Sequence, residues 1–195
     1  MKKLLQMMKE NRIVTDIFAI FLVTLILMIP SFNKNTDIYL DDGSQHLMRA
    51  WGSYNSLKQN GTANVISSFG NGFGYSWNLF YGPLSADLIM VLGIIFSSFN
   101  IGFKVAVAAI MFASGACMYK FVAEMTENRN MGLLAAIIYI ASPYLFTDIY
   151  VRHAIGEACS FVFMPLVFLG LYNLFNTEKS HYYLVFGATR TYTFT

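Results

Sequence analysis

Charge is scarce in this chain. Its 13 Lys and Arg and 11 Asp and Glu make up only 12% of 195 residues, about half the ~25% usual in soluble domains. That deficit excludes an ordinary soluble domain. A net charge of +2 is also too small to argue for a nucleic-acid partner. Cysteine is nearly missing: Cys117 and Cys159 both sit in apolar segments. They have no disulfide or zinc spacing and read as buried, inert thiols. The chain has no Walker loop, dinucleotide fingerprint, internal repeat or low-complexity linker.

What it has is long apolar runs. Five stand out, at 13–32, 83–99, 103–122, 130–146 and 158–175, each near the ~20 residues that cross ~30 Å of hydrocarbon. The expected fold is an all-α integral membrane protein, a polytopic helical bundle forming one membrane domain over 1–195. Lys2, Lys3, Lys9 and Arg12 crowd the start, which places the N-terminus in the cytoplasm. The first run ends in "MIPSF" without a small-x-small cleavage site, so it reads as an uncleaved signal anchor. A sixth run begins at "HYYLVFGA" and breaks off in "GATRTYTFT", as expected of part of a longer protein. His181, at its start, receives no role.

The polar region 33–82 is long for a purposeless loop, and by the N-terminal charge it faces outside. Its first part predicts an amphipathic helix over about 43–58. Leu47, Ala50, Trp51, Tyr54 and Leu57 share one side, opposite Asp42, His46, Arg49 and Ser53. Trp51 and Tyr54 suit a helix in the headgroup layer. The glycines and aromatics of "GNGFGYSWNLFYGPL" predict turns and interfacial anchors. Two topologies remain open. If 83–99 crosses, Lys120 and Arg129 lie outside and Arg152 inside. If it lies in the outer leaflet or re-enters, the cations join the N-terminal cluster and Arg152 faces outside with Asp42. The positive-inside rule favours the second.

Two stretches could carry chemistry. In "DIYLDDGSQHLMRAW", Asp42 and Gln45 make an Asp-x-x-Gln capping box, so Asp42 reads as a helix cap. The functional alternative is a general base toward an attacking hydroxyl, or with Asp41 a ligand to a divalent cation (Mg or Mn). His46 and Arg49 follow about one and two turns later and could line the same cleft. In "TDIYVRHAIGEA", Asp148 with Arg152 and His153 with Glu157 are i, i+4 pairs. Their place between two apolar runs favours function, and Arg152 offers forked donors for a phosphate. Asp87 falls in the first turn after Pro83, where a carboxylate suits the helix dipole. Arg12 and Asp16 read as an interfacial pair, and Asn60-Gly61-Thr62 matches a glycosylation sequon.

The order of "DDGSQHLMRAW", "GFGYSWNLFYGPL" and "YVRHAIGEA" followed by "PLVFLGLY" resembles the bacterial YfhO-like membrane proteins. These are also catalogued as the 6-pyruvoyl-tetrahydropterin synthase-related membrane domain, within the GT-C glycosyltransferase superfamily. The resemblance covers about residues 13–175. It implies a bacterial plasma-membrane enzyme that transfers a sugar from a polyprenyl-phosphate donor to an extracytoplasmic acceptor. The family's first-loop acid would fall on Asp42, with Asp41 beside it. Its second-loop polar set would fall on Arg152 and Glu157, with His153 alongside. The resemblance also implies that 83–99 lies along the membrane. The second loop lacks the Asp-x-Asp of oligosaccharyltransferases, a departure that bears on metal use. Two other classes stay open: a transporter or flippase using the same charges, and a non-catalytic fragment or assembly subunit.

Overall fold

The computed structural model describes residues 2–32 and 41–176, with side chains within 12–32 and 41–175. His181, the sixth run and residues 33–40 lie outside the described residues. The elements are α1 (Lys2–Met28), α2 (Gly43–Asn60), the one-turn α3 (Trp77–Phe80), α4 (Leu84–Ile95), α5 (Phe99–Met125), α6 (Arg129–Ile140), the short α7 (Pro143–Thr147) and α8 (Ile155–Asn176). The described residues contain no strand. One antiparallel bridge, Ile66 with Tyr75, closes the long loop.

Four helical paths are long and apolar enough to cross a membrane: Arg12–Phe32, Phe99–Met125, Arg129–Arg152 and Ile155–Phe175. The protein is therefore an all-α integral membrane protein. The second apolar run of the sequence is not among the four. Helix α4 has 12 residues, about 18 Å at 1.5 Å per residue, against ~30 Å of hydrocarbon. It folds back on α5 through a turn at Ser97, whose φ is 53°, and Ser98 caps α5 by accepting from the Ile101 N–H at 3.4 Å. The hairpin closes on two glycines. A Cβ on Gly102 would stand 2.4 Å from the Gly93 nitrogen.

Contacts sort the connections by end. At one end Tyr54 meets Phe99, the ring centroids 5.8 Å apart. There too Phe103 meets His153 at 5.9 Å, and the Asp42 N–H donates to the Arg152 carbonyl at 3.0 Å. At the other end the Tyr119 hydroxyl donates to Asp16 at 2.7 Å, and a cleft lined by Ile13, Lys120, Glu124 and Arg129 opens between helices. Lys120 and Arg129 thus share an end with the start of the first span, and Asp42 shares the opposite end with Arg152. This is the arrangement in which 83–99 does not cross. The expected Arg12–Asp16 pair does not form among the described residues: Asp16 takes Tyr119 instead.

Helix α2 buries part of both its sides. His46, Arg49, Ser53 and Ser56 are buried, and of the predicted apolar side Ala50 is buried and Leu47 and Tyr54 pack on the core, while Trp51 and Leu57, with Met48, are exposed. The physical reason is supply. The segment 63–82 brings carbonyls and side-chain amides against the polar side, so that side is satisfied inside. The outward Met48, Trp51 and Leu57 suit the edge of a bilayer.

Candidate functional site

Asp42 holds the N-cap position of α2 with φ −82° and ψ −12°, and its side chain makes no cap hydrogen bond. The predicted capping box is therefore not formed. Side-chain capping typically comes from an extended backbone, which Asp42 does not have. The Asp42 N–H is spent on Arg152, which pins the first loop to the second and leaves the carboxylate for other work. Asp41 beside it is exposed at φ 39°.

One turn on, His46 is buried against Tyr81, the ring centroids 6.2 Å apart. Burial pushes its pKa down to about 4, Arg49 acts in the same direction, and Asp42 opposes both. At neutral pH His46 is an uncharged imidazole and offers no cation to a phosphate. A pH effect on stability follows. The unfolded chain protonates His46 below about 6.5, the folded one only near 4. The unfolded state thus binds the extra proton, and stability falls as pH drops through this window. His46→Gln should remove up to about 3 kcal/mol of that loss, read as a flatter unfolding midpoint between pH 7 and 4. Equal slopes in both proteins would contradict it.

Arg49 is wholly buried. Its Nε donates to Asn78 Oδ1 at 2.7 Å, and its Nη2 donates to the carbonyls of Tyr81 and, at 3.0 Å, Gly82. The guanidinium carbon lies 4.8 Å from the Tyr81 ring centroid and 5.9 Å from that of Trp77. Asn78 in turn donates to Ser53 Oγ at 2.8 Å and to the Ala63 carbonyl at 2.7 Å. Enclosed in this way, Arg49 clamps the segment 77–82 to α2. A ligand reaches it only if that segment moves. Asp87, in the first turn of α4 as expected, has its pKa raised by burial and lowered by Arg49.

The second loop is built on a wide turn. After α7, residues Asp148–Arg152 form a single π-helical turn, and His153 follows at φ 53°. The Ala154 N–H closes on the Asp148 carbonyl at 2.9 Å. This reversal starts α8 beside α7 and brings four polar side chains together. Arg152 Nη1 meets Asp148 at 2.9 Å and Glu157 at 2.7 Å, and the Tyr144 hydroxyl donates to Glu157. Glu157 pairs with Arg152, whereas the ring of His153 packs on Phe103 and lines a small cavity with Ser31 and Lys104. Both ion pairs use Nη1, and the Arg152 side chain stays 41% exposed, so a ligand can reach the guanidinium.

The structure therefore places Asp42, Arg152 and Glu157 at one end. His46 and Arg49 sit behind them as support, and His153 faces another helix. Tyr81 and Tyr144 also belong here. Sequence reasoning read Tyr81 only as an interfacial aromatic, and the one signal in its favour was its place in "FYGPL" just before α4. The metal reading rests on Asp41 and Asp42. No group of three His, Cys, Asp or Glu side chains that could hold an ion exists among the described residues. Asp41 and Asp42 are two carboxylates, the number that commonly holds Mg²⁺ together with water and a ligand's phosphate oxygens. Cys117 and Cys159 are free thiols.

No protein-family model matches the chain, and no solved structure does. It is 27% identical to a protein of Lactococcus lactis subsp. cremoris described only as uncharacterized, in an alignment covering 87% of this chain. The chain spans about 28% of the length of that curated relative.

Proposed function

We propose that this chain is part of a membrane glycosyltransferase of GT-C type. It would move a sugar from a polyprenyl-phosphate to an acceptor outside a bacterial plasma membrane, with the N-terminus cytoplasmic and the loop 33–82 outside. The observation that carries the reading is the hydrogen bond from the Asp42 N–H to the Arg152 carbonyl. It joins two loops about 110 residues apart, so a free carboxylate and a reachable guanidinium share one end of the bundle. In the reaction, the acceptor oxygen bonds to the anomeric carbon and the bond from that carbon to the phosphate oxygen breaks. The departing electron pair stays on the lipid phosphate, beside Arg152. The acceptor proton passes to the Asp42 carboxylate. Glu157 holds Arg152 in place, and neutral His46 leaves the cationic task to Arg152.

Asp42→Asn in the natural protein should cut sugar transfer by about 10²–10⁴-fold, the usual range for a lost general base, with an unchanged unfolding midpoint. Transfer at the wild-type rate would remove Asp42 from that role. Cysteines placed at 42 and 152 should be labelled from the same side, and one at 125 from the other.

One observation favours a transporter instead: the path Arg129–Arg152 is interrupted at Ala141 and Pro143 and ends in a charged turn. Broken helices of this kind line substrate routes. Uptake of a lipid-linked sugar into vesicles without transfer would select it.

A further inference from the structure

Tyr81 is the side chain at this end whose chemistry nothing above uses. It lies where the two loops abut. Its backbone carbonyl is held by Arg49, its ring faces the Arg49 guanidinium at 4.8 Å, and its hydroxyl rests against Gly156. A Cβ on Gly156 would stand 2.7 Å from that hydroxyl oxygen, so glycine at the start of α8 is what admits it. The next residue is Glu157, the partner of Arg152. Placed this tightly, the hydroxyl still makes no hydrogen bond among the described residues. A phenol brought into a polar cluster generally has a partner, and this one stays partly exposed, so the partner can come from outside the chain.

We propose that Tyr81 is a ligand-contacting residue of this site, its hydroxyl donating a hydrogen bond to a phosphoryl oxygen of the ligand that Arg152 holds. The proposal rests on the glycosyltransferase reading above. Its chemistry is that of a neutral donor. Burial, with Asp42 and Glu157 nearby, raises the phenol pKa, and Arg49 only partly offsets this. The group therefore keeps its proton at neutral pH and can offer it to an anionic oxygen as a hydrogen bond. The Arg49 cation over the ring draws electron density from it and makes the hydroxyl a stronger donor. The ring packed on Gly156 fixes the direction of donation. The two carboxylates nearby do not compete for a phosphate, which they repel. Donors must supply that contact, and among the described residues Tyr81 and Arg152 can do so.

The test uses the whole chain in detergent micelles, carrying Trp51→Phe so that Trp77, which neighbours Arg49, is the single fluorescent reporter. Geranylgeranyl phosphate is the probe, and geranylgeraniol, which lacks the phosphate, is the control. Tyr81→Phe should weaken binding of the phosphate about tenfold, leave binding of the alcohol unchanged and keep the unfolding midpoint. Gly156→Ala, which displaces the hydroxyl without removing it, should weaken the phosphate similarly. Binding of the phosphate unaltered by Tyr81→Phe overturns the role of Tyr81 and leaves the wider reading standing. Equal weakening of phosphate and alcohol also overturns it, because the ring would then serve only as packing. Failure of the unsubstituted reporter chain to bind the phosphate overturns both.

Discussion

Arg49→Met is expected to destabilise the protein by about 3–5 kcal/mol, the range for removing one partner from a buried charged network. The side chain is wholly buried, and its removal leaves Asn78 Oδ1 and the Tyr81 and Gly82 carbonyls without their donor. Each abandoned acceptor costs about 1–3 kcal/mol where water cannot replace the donor. Arg49→Lys should fall between. It keeps the charge, but a single ammonium cannot reach an amide oxygen and two carbonyls as a planar fork does. Unfolding in graded detergent would read the loss. Proteolysis should then appear first within 77–82, the segment that Arg49 fastens. A change below about 1 kcal/mol would mean that α2 and this segment are held together by something else. Nη1 finds no hydrogen-bond partner among the described residues. The Tyr81 and Trp77 rings beside the guanidinium supply part of what it lacks.

The second large effect is at the α4–α5 crossing. Gly102→Val should cost more than about 3 kcal/mol, beyond the ~1–3 kcal/mol of ordinary overpacking. The Cβ alone would lie 2.4 Å from the Gly93 nitrogen and 2.7 Å from its Cα. Those are backbone atoms of a helix, and they cannot swing aside as a side chain can. The hairpin must open, which moves α4 off the bundle and with it the segment that carries Tyr81. Ala109→Val, at an exposed position of the same helix, is the control and should change stability little. An unfolding midpoint for Gly102→Val equal to that of the control would show that the two helices can separate freely.

Both predictions concern places where residue type alone said little. The helical, membrane-spanning character was legible from composition and run length, because a bilayer demands about 20 apolar residues per crossing. Four of the five runs became spans for that reason. The run at 83–99 had the hydropathy of a span but not the helix. Only 12 of its residues are helical in α4, since Phe96–Ser98 turn the chain back. Gly93 and Gly102 are what let the two helices lie in contact. Spacing along one chain cannot show that two glycines nine residues apart will face each other.

The candidate site divides in the same way. The amphipathic spacing of α2 was visible, and so was the Asp148–Arg152 pair, because both follow from local helical geometry. The burial of the polar side of α2 was not visible. That depended on Asn78 and the carbonyls of 81–82, some 30 residues away, arriving to meet Arg49. Asp42 looked like a cap because its neighbours fit a capping box, but the backbone conformation at Asp42 withdrew the side chain from that task. The sequence by itself determined the solvent this protein lives in and the helices it is made of, because hydrophobicity and 3.6-residue periodicity are local quantities. The meeting of Asp42, Tyr81, Arg152 and Glu157 at one end of the bundle was decided by tertiary structure alone. It depends on α4 turning back short of a crossing and on a wide turn reversing the chain at His153, and both outcomes are settled by contacts between distant segments.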